Sequence, residues 1–282
     1  MPELPEVETI RLGLQKYLVG HTILDVDIRM AKIFQGEKKN VIGAKITDIK
    51  RIGKVLIVEL NNEFLIAIHL KLTGQLIYRG ERVSRVPRVS RVKIGGELPN
   101  KFTHVIFHLD RNSVLYYNDM RKFGWIRIVE NSKLKMQSFF KDLGPEPFKD
   151  LTFSKFIKIV QSSKTPIKLV LMDQKKIGGI GNIYANEALF DAGIDPRRPA
   201  KQISEEEAKK LYSSILKVLK NGIKYGGSSD VNFVNALGED GSYQEHFLVY
   251  GRKGEKCRRC GLVIKKIKLG GRGTYFCPAC QR

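Results

Sequence analysis

The residues best equipped for chemistry open the chain, as Met1-Pro2-Glu3-Leu4-Pro5-Glu6. A methionine followed by a residue as small as proline is expected to be removed, leaving Pro2 with a free secondary amine. An α-amino group titrates at about 7.7–8.0, far below the about 10.4 of a lysine side chain, so a useful fraction is unprotonated at neutral pH. Such an amine can attack a sugar carbon or a carbonyl and form an iminium. Glu3 stands beside it, and Glu6 follows one helical turn later. A second cluster closes the chain, where all four cysteines fall as Cys257-x2-Cys260 and Cys277-x2-Cys280. Two knuckles at this separation fit a tetrahedral four-thiolate zinc site. Four thiolates leave no open position for water, so the expected role of the ion is structural.

These residues need elements to hold them. Pro5 suits the first turn of a helix, Glu6 and Glu8 favour its positive end, and Ile10, Leu14 and Leu18 give it a buried face. By itself this opening is equally an ordinary helix start. Residues 22–129 read as β-structure, with Val55–Leu60 and Phe64–Leu70 flanking a turn and Phe102–Leu109 and Val114–Tyr117 flanking another; short strands at this spacing suggest a sandwich or barrel. Between them Arg79–Lys93 repeats Arg-Val and Ser-Arg-Val, which reads as a solvated basic loop or ribbon. Gly144-Pro145-Glu146-Pro147 marks a linker. Helical patterns follow at Phe153–Val160, Ile167–Met172, Ile183–Phe190 and Ser204–Ile223, the last with a capping box at Ser204–Glu207. Gly226–Tyr243, rich in Gly, Ser and Asn, is expected to be a mobile loop. Two glycine-rich stretches could meet anions. Ile177–Asn182 lies between helices, and Leu269–Thr274, between the knuckles, carries Arg272 near a turn. Arg272 reads equally as a solvated turn arginine.

With 282 residues there is room for two domains, and a formal net charge of +21 points to a polyanionic partner. Nucleic acid fits better than membrane, since no basic amphipathic helix accompanies a lipidation signal. No stretch approaches the roughly 18 apolar residues of a membrane span, and the acidic N-terminus lacks the order of a signal peptide. A cytoplasmic, nucleoid-associated monomer is expected.

Several motifs in order carry a resemblance: Pro2–Thr9, His69-Leu70-Lys71-Leu72-Thr73-Gly74, Asp119-Met120-Arg121-Lys122-Phe123-Gly124, Leu143–Pro147, Gly179–Ala185 and Val249–Arg252 ahead of the knuckles. Together they resemble the bacterial formamidopyrimidine-DNA glycosylase family. Pro-Glu-Leu-Pro, rather than the Pro-Glu-Gly-Pro typical of the endonuclease VIII branch, points to oxidised purines. The resemblance implies an α+β chain with an N-terminal β-sandwich and N-terminal helix, a helix–two-turn–helix domain and a four-cysteine zinc-finger hairpin. The domains would be 1–130, a linker 131–150, 151–242 and 243–282, with one structural Zn2+ on Cys257, Cys260, Cys277 and Cys280.

It further implies a bifunctional glycosylase and abasic-site lyase acting on double-stranded DNA with oxidised bases or abasic sites. Pro2 would be the nucleophile and Glu3 the general acid, with Glu6 supporting the site. Lys54 and Arg272 would contact phosphate and assist elimination, and Asn182 would bind phosphate. His69 is carried over with its motif as a DNA contact. Leu72, Arg121 and Phe123 would fill the gap left by a flipped nucleotide. Without the resemblance, Leu72 and Phe123 would read as core and Lys54 as a solvated lysine. The alternatives are a glycosylase for oxidised pyrimidines and a non-catalytic binder of damaged DNA. Some positions depart from the family pattern. Leu72 replaces a methionine and Met120 a frequent proline, Phe102 stands where a histidine is common, and Ser163 where some relatives have lysine, a DNA contact that Lys164 beside it is expected to supply instead.

Overall fold

The first helix, α1 (Leu4–Leu18), forms where the apolar spacing places it, with Leu4, Val7, Ile10, Leu14 and Leu18 buried along one face. The computed structural model describes residues 1–81, 83 and 89–282, and all of their side chains but those of residues 135, 138 and 139. The centre of the basic Arg79–Lys93 segment therefore lies outside the described residues. By contact the chain forms two units, Met1–Lys141 with Ile223–Gln244, and Asp142–Gly222 with Glu245–Arg282.

In the first unit the alternating stretches become strands β1 (Ile23–Ile28), β2 (Phe34–Gln35), β3 (Ile46–Ile52), β4 (Val55–Leu60), β5 (Phe64–His69), β6 (Gly74–Arg79), β7 (Thr103–Leu109), β8 (Ser113–Asp119) and β9 (Trp125–Glu130). They pair as a four-stranded sheet, β1-β7-β8-β6, and a five-stranded sheet, β2-β9-β5-β4-β3. Only β2 and β9 run parallel; the rest of the ladder is antiparallel. Inward residues of both sheets and the apolar face of α1 share one core, including Leu14, Val26, Leu56, Ile68, Leu76, Phe107 and Leu115. Two single α-helical turns, α2 (Arg91–Ile94) and α3 (Ser138–Lys141), also lie in this part of the chain. Leu134 and Phe140 cover Val55, Ile57 and Leu65 on the second face of the five-stranded sheet.

The segment expected to be mobile is packed instead. Phe233, Ala236 and Leu237 join the sandwich core, and Val234 is buried against Ile77 and Ile94. Its backbone is also tied down, with the Tyr78 N–H donating to the Ala236 carbonyl at 2.8 Å. The composition of Gly226–Tyr243 concealed this, because a few apolar residues among the Gly, Ser and Asn are enough to bury it. By contact it belongs with the sandwich, whereas boundaries drawn in chain order leave it with the helices.

In the second unit come α4 (Phe153–Gln161), α5 (Ile167–Met172), α6 (Asn182–Ala192) and α7 (Glu205–Lys224), then the hairpin of β10 (Lys265–Leu269) and β11 (Arg272–Phe276). Helix α7 starts on the expected capping box: Ser204 Oγ accepts from the Glu207 N–H, and Glu207 Oε2 from the Ser204 N–H. Among the described residues no helix is long and apolar enough to cross a membrane.

Gly13 tests how firmly the 226–243 segment is seated. A Cβ there would lie 2.7 Å from Ala236 Cβ. In an open helix, alanine in place of glycine gains about 1 kcal/mol. Here the clash should prevail, and Gly13→Ala is expected to lower stability by about 1–3 kcal/mol in denaturant unfolding. A gain in stability would show that the segment yields freely.

Candidate active site and nucleic-acid interface

The N-terminal residues predicted to do chemistry are gathered and buried. Pro2 is buried, Glu3 and Glu6 are 2% and 1% exposed, and Met1 ahead of them is exposed. Glu6 Oε2 accepts the Glu3 backbone N–H at 2.8 Å, part of the capping box that begins α1. Glu6 Oε1 accepts the Ser228 N–H at 2.9 Å. One carboxylate thus fixes the residue after Pro2 and a distant backbone segment. It also sits at the positive end of α1, which favours its charge. Glu8, on the next face, bonds Arg11 and Arg51. Burial works against its ionised form, but the two guanidiniums prevail and hold its carboxyl below the usual range.

Lys54 is buried at the turn between β3 and β4, and Val55 pairs with His69 across the sheet. His69 Nδ1 accepts the Lys71 N–H at 2.9 Å, and the ring packs on Trp125 with centroids 5.6 Å apart. That bond needs an unprotonated Nδ1. Burial, followed by the charges of Lys71 and Lys54, brings the His69 pKa down to about 3. His69 therefore organises the turn leading to Leu72 as a neutral ring.

Leu72, Arg121 and Phe123 lie on two turns held by one carboxylate, Asp119. Its Oδ1 accepts from Thr73 Oγ at 2.5 Å and the Arg121 N–H at 3.1 Å, and its Oδ2 accepts from the Gly124 N–H at 2.8 Å. Beyond this anchor Arg121 and Phe123 are exposed, the guanidinium 5.1 Å from the ring centroid. Leu72 is half-buried. An apolar side chain and an arginine over an aromatic ring can enter and stack within an opened base step. Nothing in the Asp119–Gly124 motif by itself marks Asp119 as the residue that holds both turns.

In the second unit Gln174 shapes the glycine-rich connection. Its Oε1 accepts the Gly179 N–H, and its Nε2 donates to the carbonyls of Met172 and Ile180. Asn182 then opens α6, an 11-residue helix whose first N–H groups can meet an anion. Asn186, one turn on, donates to the Asn182 carbonyl and accepts the Tyr275 N–H at 2.7 Å, joining that helix start to β11. Gly270 and Gly271, at φ +55° and +75°, form the tight turn before Arg272. A Cβ on Gly270 would lie 2.5 Å from Leu169 Cδ2, so α5 fits directly against the turn. Lys168, fully buried, donates to the Gly273 carbonyl at 2.9 Å and to Thr274 Oγ1 at 2.8 Å. Arg272 projects, exposed, from this braced hairpin. Lys168 was missed from sequence, although a lone charge in the apolar run Ile167–Met172 was the available signal. Lys164 is exposed. It is Lys176, not Lys164, that donates to Ser163 Oγ, at 3.0 Å.

The four cysteine sulfurs lie within 4.8 Å of one another, Cys257 to Cys280 at 3.9 Å and Cys260 to Cys277 at 3.4 Å. Sulfurs bound tetrahedrally at about 2.3 Å from zinc are about 3.8 Å apart, so the donor set fits one structural Zn2+. Burial opposes ionisation of Cys257, but the N–H groups of Arg259 and Cys260 bring its thiol down to about 7, towards the thiolate a metal requires. Behind the knuckles, the buried Glu187 carboxylate accepts the N–H groups of Leu248, Val249 and Tyr250.

Residues 1–126 match the formamidopyrimidine-DNA glycosylase N-terminal domain, 143–233 the H2TH domain of the same enzymes, and 254–282 the zinc finger found in FPG and IleRS. The chain belongs to the formamidopyrimidine-DNA glycosylase family. A formamidopyrimidine-DNA glycosylase of Streptococcus mutans is 38% identical over 288 residues, covering all of both chains. The Lactococcus lactis FPG mutant G226P, solved with Fapy-dG-containing DNA, superposes with a TM-score of 0.87 at 36% identity over the full length of both. The L. lactis Fpg with abasic-site DNA gives 0.87 at 35% identity over 99% of both chains. The family α+β architecture expected from the sequence is thereby established.

The state of His69 gives a pH prediction. Its folded pKa lies below the ordinary 6.5, so its contribution to stability is complete above about pH 6.5 and is lost as pH falls towards about 3. Its ring resonances should stay constant from pH 8 to 5. A His69 titration midpoint near 6.5 would contradict the geometry described.

Proposed function

We propose that this chain is a bifunctional DNA glycosylase and abasic-site lyase. It excises oxidised purines, 8-oxoguanine and formamidopyrimidines, from duplex DNA and then cuts the strand. The observation that carries this is the Pro2-Glu3 start, folded as the buried head of α1 with Glu6 on the Glu3 backbone, in a chain that belongs to the family along its length. Relatives of the same length and fold were solved with Fapy-dG and abasic-site DNA. The +21 charge supports a nucleic-acid partner.

The target nucleotide must leave the stack before its sugar can be reached. Leu72, Arg121 and Phe123 occupy the space it vacates. Removal of the exposed Met1 frees the Pro2 nitrogen. Its lone pair forms a bond to the sugar C1′ as the glycosidic bond breaks; the base departs with the electrons of the glycosidic bond and takes up the proton that the Pro2 nitrogen sheds. Glu3 protonates the ring oxygen, the C1′–O4′ bond opens, and a C=N+ iminium links enzyme and sugar. Loss of a C2′ proton expels the 3′ phosphate, and a second elimination expels the 5′ phosphate. Lys54, Arg272 and Asn182 serve the phosphates, and Glu6 keeps Glu3 in place. Zinc supplies no step; it stiffens the hairpin that carries Arg272.

Borohydride reduction of the iminium tests this. Processed protein should be trapped on an 8-oxoguanine duplex, and Pro2→Gly should reduce trapping by about 100-fold or more, as expected for loss of a nucleophile. No adduct with any oxidised-base duplex would refute the proposal, and undiminished trapping by Pro2→Gly would place the nucleophile elsewhere.

A further inference from the structure

The basic Arg79–Lys93 segment has no part in the chemistry above, yet its described end is built into the same region. The Ser90 N–H donates to the Gly238 carbonyl at 2.8 Å. Lys93 Nζ donates to the Ser229 carbonyl at 2.5 Å and pairs with Asp240 Oδ1 at 3.0 Å. The Lys93 carbonyl accepts from the buried Gln75 Nε2 at 3.0 Å, and the same amide donates to the Asn232 carbonyl at 2.7 Å. Ile94 packs with Ile77 and Val234, while Asn100 Nδ2 holds the Ile94 carbonyl at 2.9 Å.

One lysine therefore grips the 228–241 segment near both ends. At one end is Ser229, next to the Ser228 N–H that bonds Glu6. At the other is Asp240, next to Gly241, whose N–H donates to Ser229 Oγ at 2.8 Å. The Lys93 side chain is 21% exposed and that of Asp240 43%, so the ion pair is partly solvated and the bond to the Ser229 carbonyl carries most of the hold. A solvated basic ribbon would not spend its lysine in this way. In the described residues Lys93 is engaged with both a backbone carbonyl and a carboxylate.

We propose that Lys93 is a positioning residue for base excision, holding residues 228–241 so that Ser228 meets Glu6 beside the N-terminal proline. The inference rests on the glycosylase function proposed above. It assigns the described end of the basic segment to bracing the site. Excision requires a base to be accommodated next to the Pro2-Glu3-Glu6 head while it departs. An abasic sugar brings no base, so its cleavage draws on Pro2 and on Glu3, which the Glu6 bond within α1 holds without the segment, and much less on the register of residues 228–241.

The experiment compares single-turnover excision from an 8-oxoguanine duplex with cleavage of a preformed abasic duplex, using full-length, zinc-loaded protein. Lys93→Met should slow excision by about 10-fold and leave abasic cleavage within about 2-fold, as misplacement away from the reacting atoms does. Lys93→Arg keeps a donor for Ser229 and the charge for Asp240, and should restore most of the excision rate. Amide exchange at Ser229 and Gly241 should quicken in Lys93→Met and recover in Lys93→Arg. Asp240→Asn loosens the same grip from the other side, should shift excision in the same direction, and serves if Lys93→Met folds poorly. Unchanged excision, or equal loss on both substrates, overturns the role of Lys93. Unsubstituted protein that cuts neither duplex overturns the glycosylase function instead.

Discussion

A single buried carboxylate, Glu6, joins the chemical end of this chain to the rest of the sandwich. Its two oxygens take the N–H groups of Glu3 and Ser228, residues that only the fold brings together. Both donors are backbone groups with little access to water, and a buried N–H without an acceptor costs about 1–3 kcal/mol. The helix dipole supports the negative charge, and the apolar face of α1 anchors the helix in the core. A chain terminus would otherwise fray. Here residues 2–7 are as buried as the middle of a strand, and only Met1 ahead of them is exposed.

The second unit solves a related problem by different means. Arg272 sits on a two-residue turn in a short hairpin, which alone would be marginal in water. Three supports brace it: the four-cysteine cluster behind, Lys168 and Leu169 beneath, and Asn186 joining β11 to the start of α6. In both units the side chain offered to solvent is held through its backbone by a buried polar partner. Asp119 does the same for Arg121 and Phe123. Rigid support of exposed groups suits a surface that must displace a stacked base, because little ordering is left to be done on binding.

Much of this was legible in the sequence. Strand alternation placed both hairpins within a residue or two, helical spacing placed α1 and α4 to α7, and the knuckle spacing identified the zinc ligands. These signals are local and periodic. The supports were not legible, because each bond spans a sequence distance that no pattern encodes: Glu6 to Ser228, Lys93 to Asp240, Lys168 to Thr274. Composition misled in one place. The Gly, Ser and Asn of residues 226–243 suggested mobility, while Phe233, Ala236 and Leu237 bury the segment in the core. Small polar residues there supply compact turns, as where Asn235 Oδ1 accepts the N–H groups of Leu237 and Glu239.

Hydrogen exchange at the Ser228 amide tests the central interaction most directly, by comparing the unsubstituted protein with Glu6→Ala, which removes both acceptor oxygens. The Ser228 amide should be protected in the former and should exchange at least about 10-fold faster in the latter, the equivalent of about 1.4 kcal/mol, while amides of β4 remain unchanged. Equal rates at Ser228 in the two proteins would contradict the account.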